Sequence, residues 1–273
     1  MISTKEKIFN YAVLTFFAVI ALFPLVGVLT SALTDPDAGS ATLSLPGTPH
    51  FENFATAWDQ GRFSTYMRSS VLVTVSVVVI AGVLAILAGY AFGTMRFRGS
   101  GVLFYLLMLG LMVPSEALVI PLYFDLRGVG LTDTYWALIF PQVAQSLAFA
   151  TFWMRGFFRS IPEGVIEAAR LDGATRWGIL WRILVPMSRP AVITMSMLVF
   201  MWTWNEFLLP LVMISSEELR TAPLGLSFFQ SQHTTQFPLL AAGATIVALP
   251  VVVLYFFLQR HFIAGMLSGA VKE

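Results

Sequence analysis

The 273-residue sequence contains no cysteine, which removes disulfides, thiolate metal sites, cysteine nucleophiles and CxxC redox chemistry at once. Charge is nearly as scarce. Asp, Glu, Lys and Arg make up 11% of the chain, against about 25% in an ordinary soluble domain. Sixteen basic residues oppose fifteen acidic ones, a net charge of +1, so no bulk basic field points to nucleic acid. Lysine occurs only as Lys5, Lys7 and Lys272, and none follows a glycine loop of the G-x-x-x-x-G-K-S/T type that cradles phosphate. The three histidines, His50, His233 and His261, fall outside the long apolar stretches and form no pair with metal spacing. No Ser–His or paired-carboxylate arrangement lies within those stretches, which disfavours an intramembrane hydrolase.

Apolar residues are abundant: 57% of the chain, with a mean hydropathy of +0.79. A helix needs roughly 20 mainly apolar residues to cross a bilayer's hydrocarbon core. Six stretches meet that requirement, at residues 8–31, 71–93, 102–124, 135–157, 191–214 and 237–258. Unbroken apolarity over such lengths favours helices over barrel strands, whose two sides would alternate. The first stretch follows Lys5 and Lys7 as a signal peptide would, but its run far exceeds an h-region of about 7–15 residues. The sequence thus predicts an all-α polytopic membrane protein forming one domain over residues 1–273. Span two carries Ala81, Ala85, Gly89 and Gly93 at every fourth position, a stripe that allows close helix–helix approach.

Six spans place both termini on one side, and basic residues choose which. One set of segments holds Lys5, Lys7, Arg96, Arg98, Arg155, Arg159, Arg170, Arg176, Arg182, Arg189, Arg260 and Lys272; the other holds only Arg62, Arg68, Arg127 and Arg220. Both termini are therefore expected in the cytoplasm. The long outer segments are about residues 32–70 and 215–236. In the first, Pro36, Pro46, Gly47 and Pro49 precede Phe51, Phe54 and Trp58, which reads as a loop and then a short amphipathic helix at the outer interface.

The cytoplasmic segment 158–190 holds the densest pattern. Ser160 and Glu163 have capping-box spacing, and Pro162 suits a first helical turn. A short helix is predicted to about Leu171, with Gly173 supplying a left-handed stop. Trp177, Leu180, Trp181 and Leu184 then fall at i, i+3, i+4 and i+7 of a second helix, which Pro186 and Pro190 end. By periodicity alone this is equally an amphipathic hairpin that merely connects two spans.

The residues say more than the periodicity. Glu167-Ala168-Ala169, Asp172-Gly173-Ala174, Ile183 and Pro186 resemble the EAA motif of permease subunits from binding-protein-dependent ABC importers, with Val185 in place of the usual leucine. Trp204-Asn205-Glu206-Phe207-Leu208 to Pro210-Leu211, and Gln259-Arg260 to Gly269-Ala270-Val271-Lys272, resemble the carbohydrate branch, closest to MalG-type subunits. The resemblance implies a MetI-like fold in a prokaryotic cytoplasmic membrane, and a transport subunit rather than an enzyme. It implies a heterodimer with a second, MalF-like permease, two copies of an ABC ATPase carrying the ATP and Mg, and an extracytoplasmic sugar-binding protein, with no cofactor on this chain. Carried over, Glu167, Ala168, Ala169, Leu171, Asp172 and Gly173 form the site coupled to the ATPase, and Gly269, Ala270, Val271 and Lys272 a tail that contacts it. The missing P-loop agrees: ATP hydrolysis falls to another polypeptide.

Two acids lie within the predicted spans, Glu116 and Glu206, and intramembrane acids are functional candidates. Trp202, Asn205 and Glu206 fall at i, i+3 and i+4, expected on one helix face. An aromatic, an amide and a carboxylate suit a sugar path; the reading that comes ahead of it is that Asn205 and Glu206 bond neighbouring helices or a partner subunit. Glu116, between Pro114 and Pro121, marks an interruption of span three. An ion-coupled secondary transporter acting alone is the alternative from another class, and would need relays of ionisable residues and inverted repeats.

Overall fold

The computed structural model describes residues 3–35, 47–230 and 235–270, with backbone only over 261–270. In chain order the helices are α1 (Thr4–Ala32), α2 (Glu52–Gln60), α3 (Phe63–Thr94), α4 (Ser100–Leu109), α5 (Ser115–Gly128), α6 (Tyr135–Ser160) and α7 (Glu163–Leu171). They continue with α8 (Arg176–Met187) and α9 (Arg189–Trp204), then α10 (Leu208–Met213) and α11 (Phe237–Ala270). Outside these the described residues include short 3-10 helices at Gly110–Met112, Glu217–Leu219 and Leu226–Phe229, a short helix at Ala222–Gly225 and one isolated antiparallel bridge, Gln230 with Thr235.

Four helices are individually long and apolar enough to cross a membrane: α1, α3, α6 and α11. The other two candidates are bent pairs: one covers predicted span three, while the other joins α9 of predicted span five to α8, which lies outside it. α4 and α5 turn by 98° across the break that follows Met112, and α8 and α9 by 78° at Ser188. Counting each bent pair once gives six. Proline chemistry explains the first break. Pro114 has no N–H to donate and forces the preceding residue out of the helical region, and Val113 is extended at φ −82°, ψ 122°. Span three is thus not one helix over 102–124.

Predicted span five, 191–214, is also interrupted. Its helix stops at Trp204, where Asn205 takes the cap position, and α10 starts afresh at Leu208. Side chains stabilise this break: Asn205 Nδ2 donates to Met201 O at 2.7 Å, and Glu206 Oε1 accepts from the Leu209 N–H at 3.0 Å. The outer spans are longer than predicted. α3 begins at Phe63 rather than Val71, and α11 continues to Ala270, so His261 sits in a helix and not in a tail.

The chain divides into two compact units. One comprises residues 1–64 and 222–250. Within it Asn53 Nδ2 donates to the carbonyls of Ala32 at 2.9 Å and Thr34 at 2.8 Å, fixing α2 to the end of α1. The amphipathic helix predicted around Phe51 is therefore present, but it packs through Asn53 and Ala57, whereas Phe51 and Trp58 remain exposed. Pro36 and Pro46 lie outside the described residues.

The second unit comprises residues 65–221 and 251–273. Its centre is the packing of α3 on α6, and the small-residue stripe makes it possible. Ala81 and Ala85 are fully buried. A Cβ on Gly89 would lie 2.6 Å from Met154 Cβ, and one on Gly93 would lie 3.0 Å from Phe158 Cβ. Two apolar cores result: one gathers Ala85, Ile86, Tyr90, Ala150, Met154 and Phe158, the other Val73, Val77, Leu138, Val143, Val199 and Leu209.

Candidate functional site

The EAA segment folds as helix, turn, helix, and the turn follows from Gly173. Its φ of +78° is one that costs a residue bearing Cβ about 1–2 kcal/mol. The Gly173 N–H donates to Arg170 O at 3.0 Å and the Ala174 N–H to Ala169 O at 2.9 Å. These two bonds constitute a Schellman stop, which satisfies carbonyls that the helix end would otherwise leave free. At the other end the expected capping box is absent. Ser160 is the last residue of α6, and its hydroxyl donates back to Phe157 O at 2.7 Å, so Pro162 stands at the cap of α7 with no side-chain bond. The next helix start has a cap that periodicity missed: Thr175 Oγ1 accepts from the Gly178 N–H at 3.2 Å.

The faces of α7 are sharply divided. Ile166 and Ala169 are buried in the same core as Ala85, Tyr90, Met154 and Phe158. Gly164, Glu167, Ala168 and Asp172 are exposed, and Leu171 is 89% exposed. Gly164, Glu167 with Ala168, and Leu171 follow i, i+3/i+4, i+7 spacing, so they share one face. Of the alanine pair expected to allow close docking, only Ala168 is available, because Ala169 packs inward. This face thus leaves the Leu171 side chain largely uncovered beside Ala168 and the carboxylates of Glu167 and Asp172.

α8 differs from its predicted stripe. Residues Ile179–Leu184 form a π-helix, whose wider turn shifts which residues share a face. Ile179, Leu180 and Leu184 are buried, whereas Trp177 is 63% and Trp181 41% exposed. The two tryptophans therefore do not belong to the apolar seam, and Ile179, outside the predicted pattern, does.

The predicted Trp202, Asn205 and Glu206 cluster is not a helix face. Trp202 lies in α9, Asn205 caps it, and Glu206 caps the following helix, as the hydrogen bonds above require. Trp202 instead lines a cavity of about 220 Å³ with Ser115, Gln142, Gln145, Ser146 and Thr203, where the start of α5 meets α6 and α9. Asn205 and Glu206 do not line it. The α6 polar residues escaped a sequence search directed at charges. Their signal was two amides and a hydroxyl, Gln142, Gln145 and Ser146, clustered inside an apolar run. Glu116 sits exposed in the first turn of α5. Among the described residues no group of three His, Asp or Glu could hold a metal. Gly269 and Ala270 end α11 as backbone, and Val271 and Lys272 lie outside the described residues.

On the α5–α6 connection, Asp133 Oδ1 accepts from the N–H groups of Ser215 at 3.0 Å and Ser216 at 2.8 Å, and Oδ2 from the Ser216 hydroxyl at 2.5 Å. These donors, the Ser216 hydroxyl foremost, hold its carboxyl below the usual carboxylate range.

Comparison with known proteins bears on the family and the fold. Residues 81–268 match the family described as "Binding-protein-dependent transport system inner membrane component". The chain is 38% identical over 262 residues to the probable ABC transporter permease protein YurM of Bacillus subtilis, covering 95% of this chain and 87% of that one. It is 32% identical to the arabinooligosaccharides transport system permease protein AraQ of Halalkalibacterium halodurans, covering 94% and 93%. It is 33% identical to the trehalose transport system permease protein SugB of Mycobacterium tuberculosis, covering 92% and 93%. In fold it is similar to a crystal structure of a bacterial ABC transporter involved in the import of the acidic polysaccharide alginate. That match has a TM-score of 0.79 at 23% identity and covers 96% of this chain and 99% of the other. The chain belongs to the family of inner-membrane components of binding-protein-dependent transport systems, as a multi-pass permease subunit of an ABC importer.

Proposed function

We propose that the chain is one of two membrane-spanning subunits through which an ABC importer passes a carbohydrate across the cytoplasmic membrane, with α7 docked on a separate ATPase. The relatives named above for arabinooligosaccharides and trehalose support the carbohydrate class. Both termini lie in the cytoplasm, on the strength of the basic-residue asymmetry. A second, MalF-like permease completes the channel, two ATPase copies carry ATP and Mg, and an extracytoplasmic binding protein delivers the sugar.

The observation that carries this reading is the divided α7. Its outward face offers Glu167, Ala168, Leu171 and Asp172, and its inward face is fused to the core of α3 and α6. When ATP closes the ATPase dimer, a groove gripping that outward face moves α7, and the shared core carries the movement into the spans. Two-state rocking between inward-open and outward-open forms follows from a rigid element pushed at one end.

Single cysteines at Ala168 and Leu171 test the docking, since the chain has none of its own. Each should cross-link to the ATPase in working membranes; failure of both sinks the coupling role. Gly173→Asp adds a charge at the turn where a Cβ meets no atom within 4 Å, so the protein should insert normally. Uptake by that variant should fall while ATP hydrolysis continues. Normal uptake in vesicles would count against α7 as the coupling element.

A further inference from the structure

We propose that the cavity at the junction of α5, α6 and α9 is a subsite for one uncharged sugar ring of the transported carbohydrate, with Trp202 as stacking surface and Gln145, Ser115, Ser146 and Thr203 as hydrogen-bonding groups. This rests on the carbohydrate reading above and goes beyond it by placing a substrate contact in this subunit.

Three observations converge. First, every residue lining the cavity except Trp202 is a hydroxyl or an amide, in a region otherwise built from apolar helices. Among the described residues the side chains of Ser115, Gln145, Ser146 and Thr203 form no hydrogen bond within the chain, although Ser146 and Thr203 are only 6% and 7% exposed. None of these polar atoms is sealed inside the protein; they open onto the cavity, where among apolar helices they need water or a ligand to bond to. Their convergence therefore marks a path filled by water or by a ligand that replaces it. Gln142 differs: its Nε2 donates to Leu138 O at 3.0 Å, which holds the wall in place.

Second, the indole is held for use. Trp202 meets the Phe149 ring edge-to-face at 4.8 Å and 72°, yet half its surface stays exposed. A fixed aromatic beside unpaired hydroxyls and amides matches a pyranose, which presents an apolar C–H face and a rim of hydroxyls. Third, no Asp, Glu, Lys, Arg or His lines the cavity. An acidic or cationic ligand would find no counter-charge, so the lining selects a neutral one. At about 220 Å³ the space is below the roughly 300–1,000 Å³ of sites for drug-sized ligands, which fits a single ring of a longer chain in transit.

The test uses the assembled importer in nanodiscs, with cysteine-free partner subunits and a single Gln145→Cys in this chain. Its rate of modification by a cationic methanethiosulfonate is measured with and without maltotriose, trehalose, arabinotriose or an oligoglucuronate. The neutral sugar that the wild-type assembly takes up should slow labelling, and the oligoglucuronate should not. Gln145→Leu combined with Thr203→Val should lower maximal uptake roughly three- to tenfold, the loss expected when one neutral hydrogen bond to ligand goes. ATP hydrolysis stimulated by the loaded binding protein should be retained.

A thiol that no reagent reaches would show that the partner subunit fills the cavity, and would overturn the proposal. Labelling indifferent to every sugar, or unchanged uptake by the double variant, would overturn it equally. None of these results touches the carbohydrate reading, which falls if the wild-type assembly shows no ATP-dependent sugar uptake.

Discussion

Gly89 and Gly173 are both favoured as glycines, for opposite reasons. Gly89 is needed for room: a side chain there would meet Met154 Cβ at 2.6 Å and the Arg155 backbone nitrogen at 3.0 Å. Gly173 is needed for its dihedral, in open space. Gly89→Leu should therefore destabilise the fold by at least about 1–3 kcal/mol through overpacking, seen as a lower thermal midpoint in detergent. Gly101→Ala, where nothing lies within 4 Å, should leave the midpoint unchanged or slightly raised, since alanine suits a helix better. Asp133 is a third residue with a distinct role. Its folded carboxyl titrates below its unfolded value, so its contribution is full above the unfolded value of about 3.9 and is lost as pH falls through the folded one. Asp133→Asn should flatten the acid limb of a stability-versus-pH curve below about pH 4; an unchanged limb would show that the three donors hold no charge in place.

At the scale of the element, α8 is where reading by period failed. Trp177, Leu180, Trp181 and Leu184 fit a 3.6-residue helix, but the π-turn over Ile179–Leu184 rotates the tryptophans outward and Ile179 inward. Hydrophobicity marked the segment as helical; it could not reveal a wider winding set by tertiary packing. The same limit hid the breaks. Pro114 was legible as an interruption, because a missing N–H is a property of the residue. Asn205 and Glu206 were read as members of one face because their capping bonds exist only once the helix has already stopped. Small-residue spacing, by contrast, marked the face of α3 that meets another helix, since close approach depends on side-chain size; that the other helix is α6 came only with the structure. The packing of α8 gives a prediction with internal control. Leu180 is fully buried, so Leu180→Ala should cost about 2–5 kcal/mol. Trp177→Ala, at an exposed position, should stay within about 0.5 kcal/mol. Denaturation in mild detergent would compare them.

Over the whole molecule, the asymmetry of basic residues and the division of α7 bear on the same question, which end faces the ATPase. Reporter fusions placed after Arg98 and after Thr175 should both report the cytoplasm, and one after Val129 the outer side; any other pattern would invert the arrangement proposed here. The rough position of the four unbroken spans was legible because bilayer thickness fixes their length. The polar cavity was not, because Ser115, Gln145 and Thr203 come from three separate helices, and only the bend after Met112 brings the first of them to the other two.

The inward face of α7 has a mechanical corollary. Ile166 and Ala169 share one close-packed interior with Ala85 and Met154, and such interiors are stiff. If α7 docks as proposed, a push at Leu171 reaches α3 and α6 through that shared interior. Loosening that interior, by Ile166→Ala for example, should then let ATP hydrolysis outrun uptake, so tight packing here would guard against futile cycling.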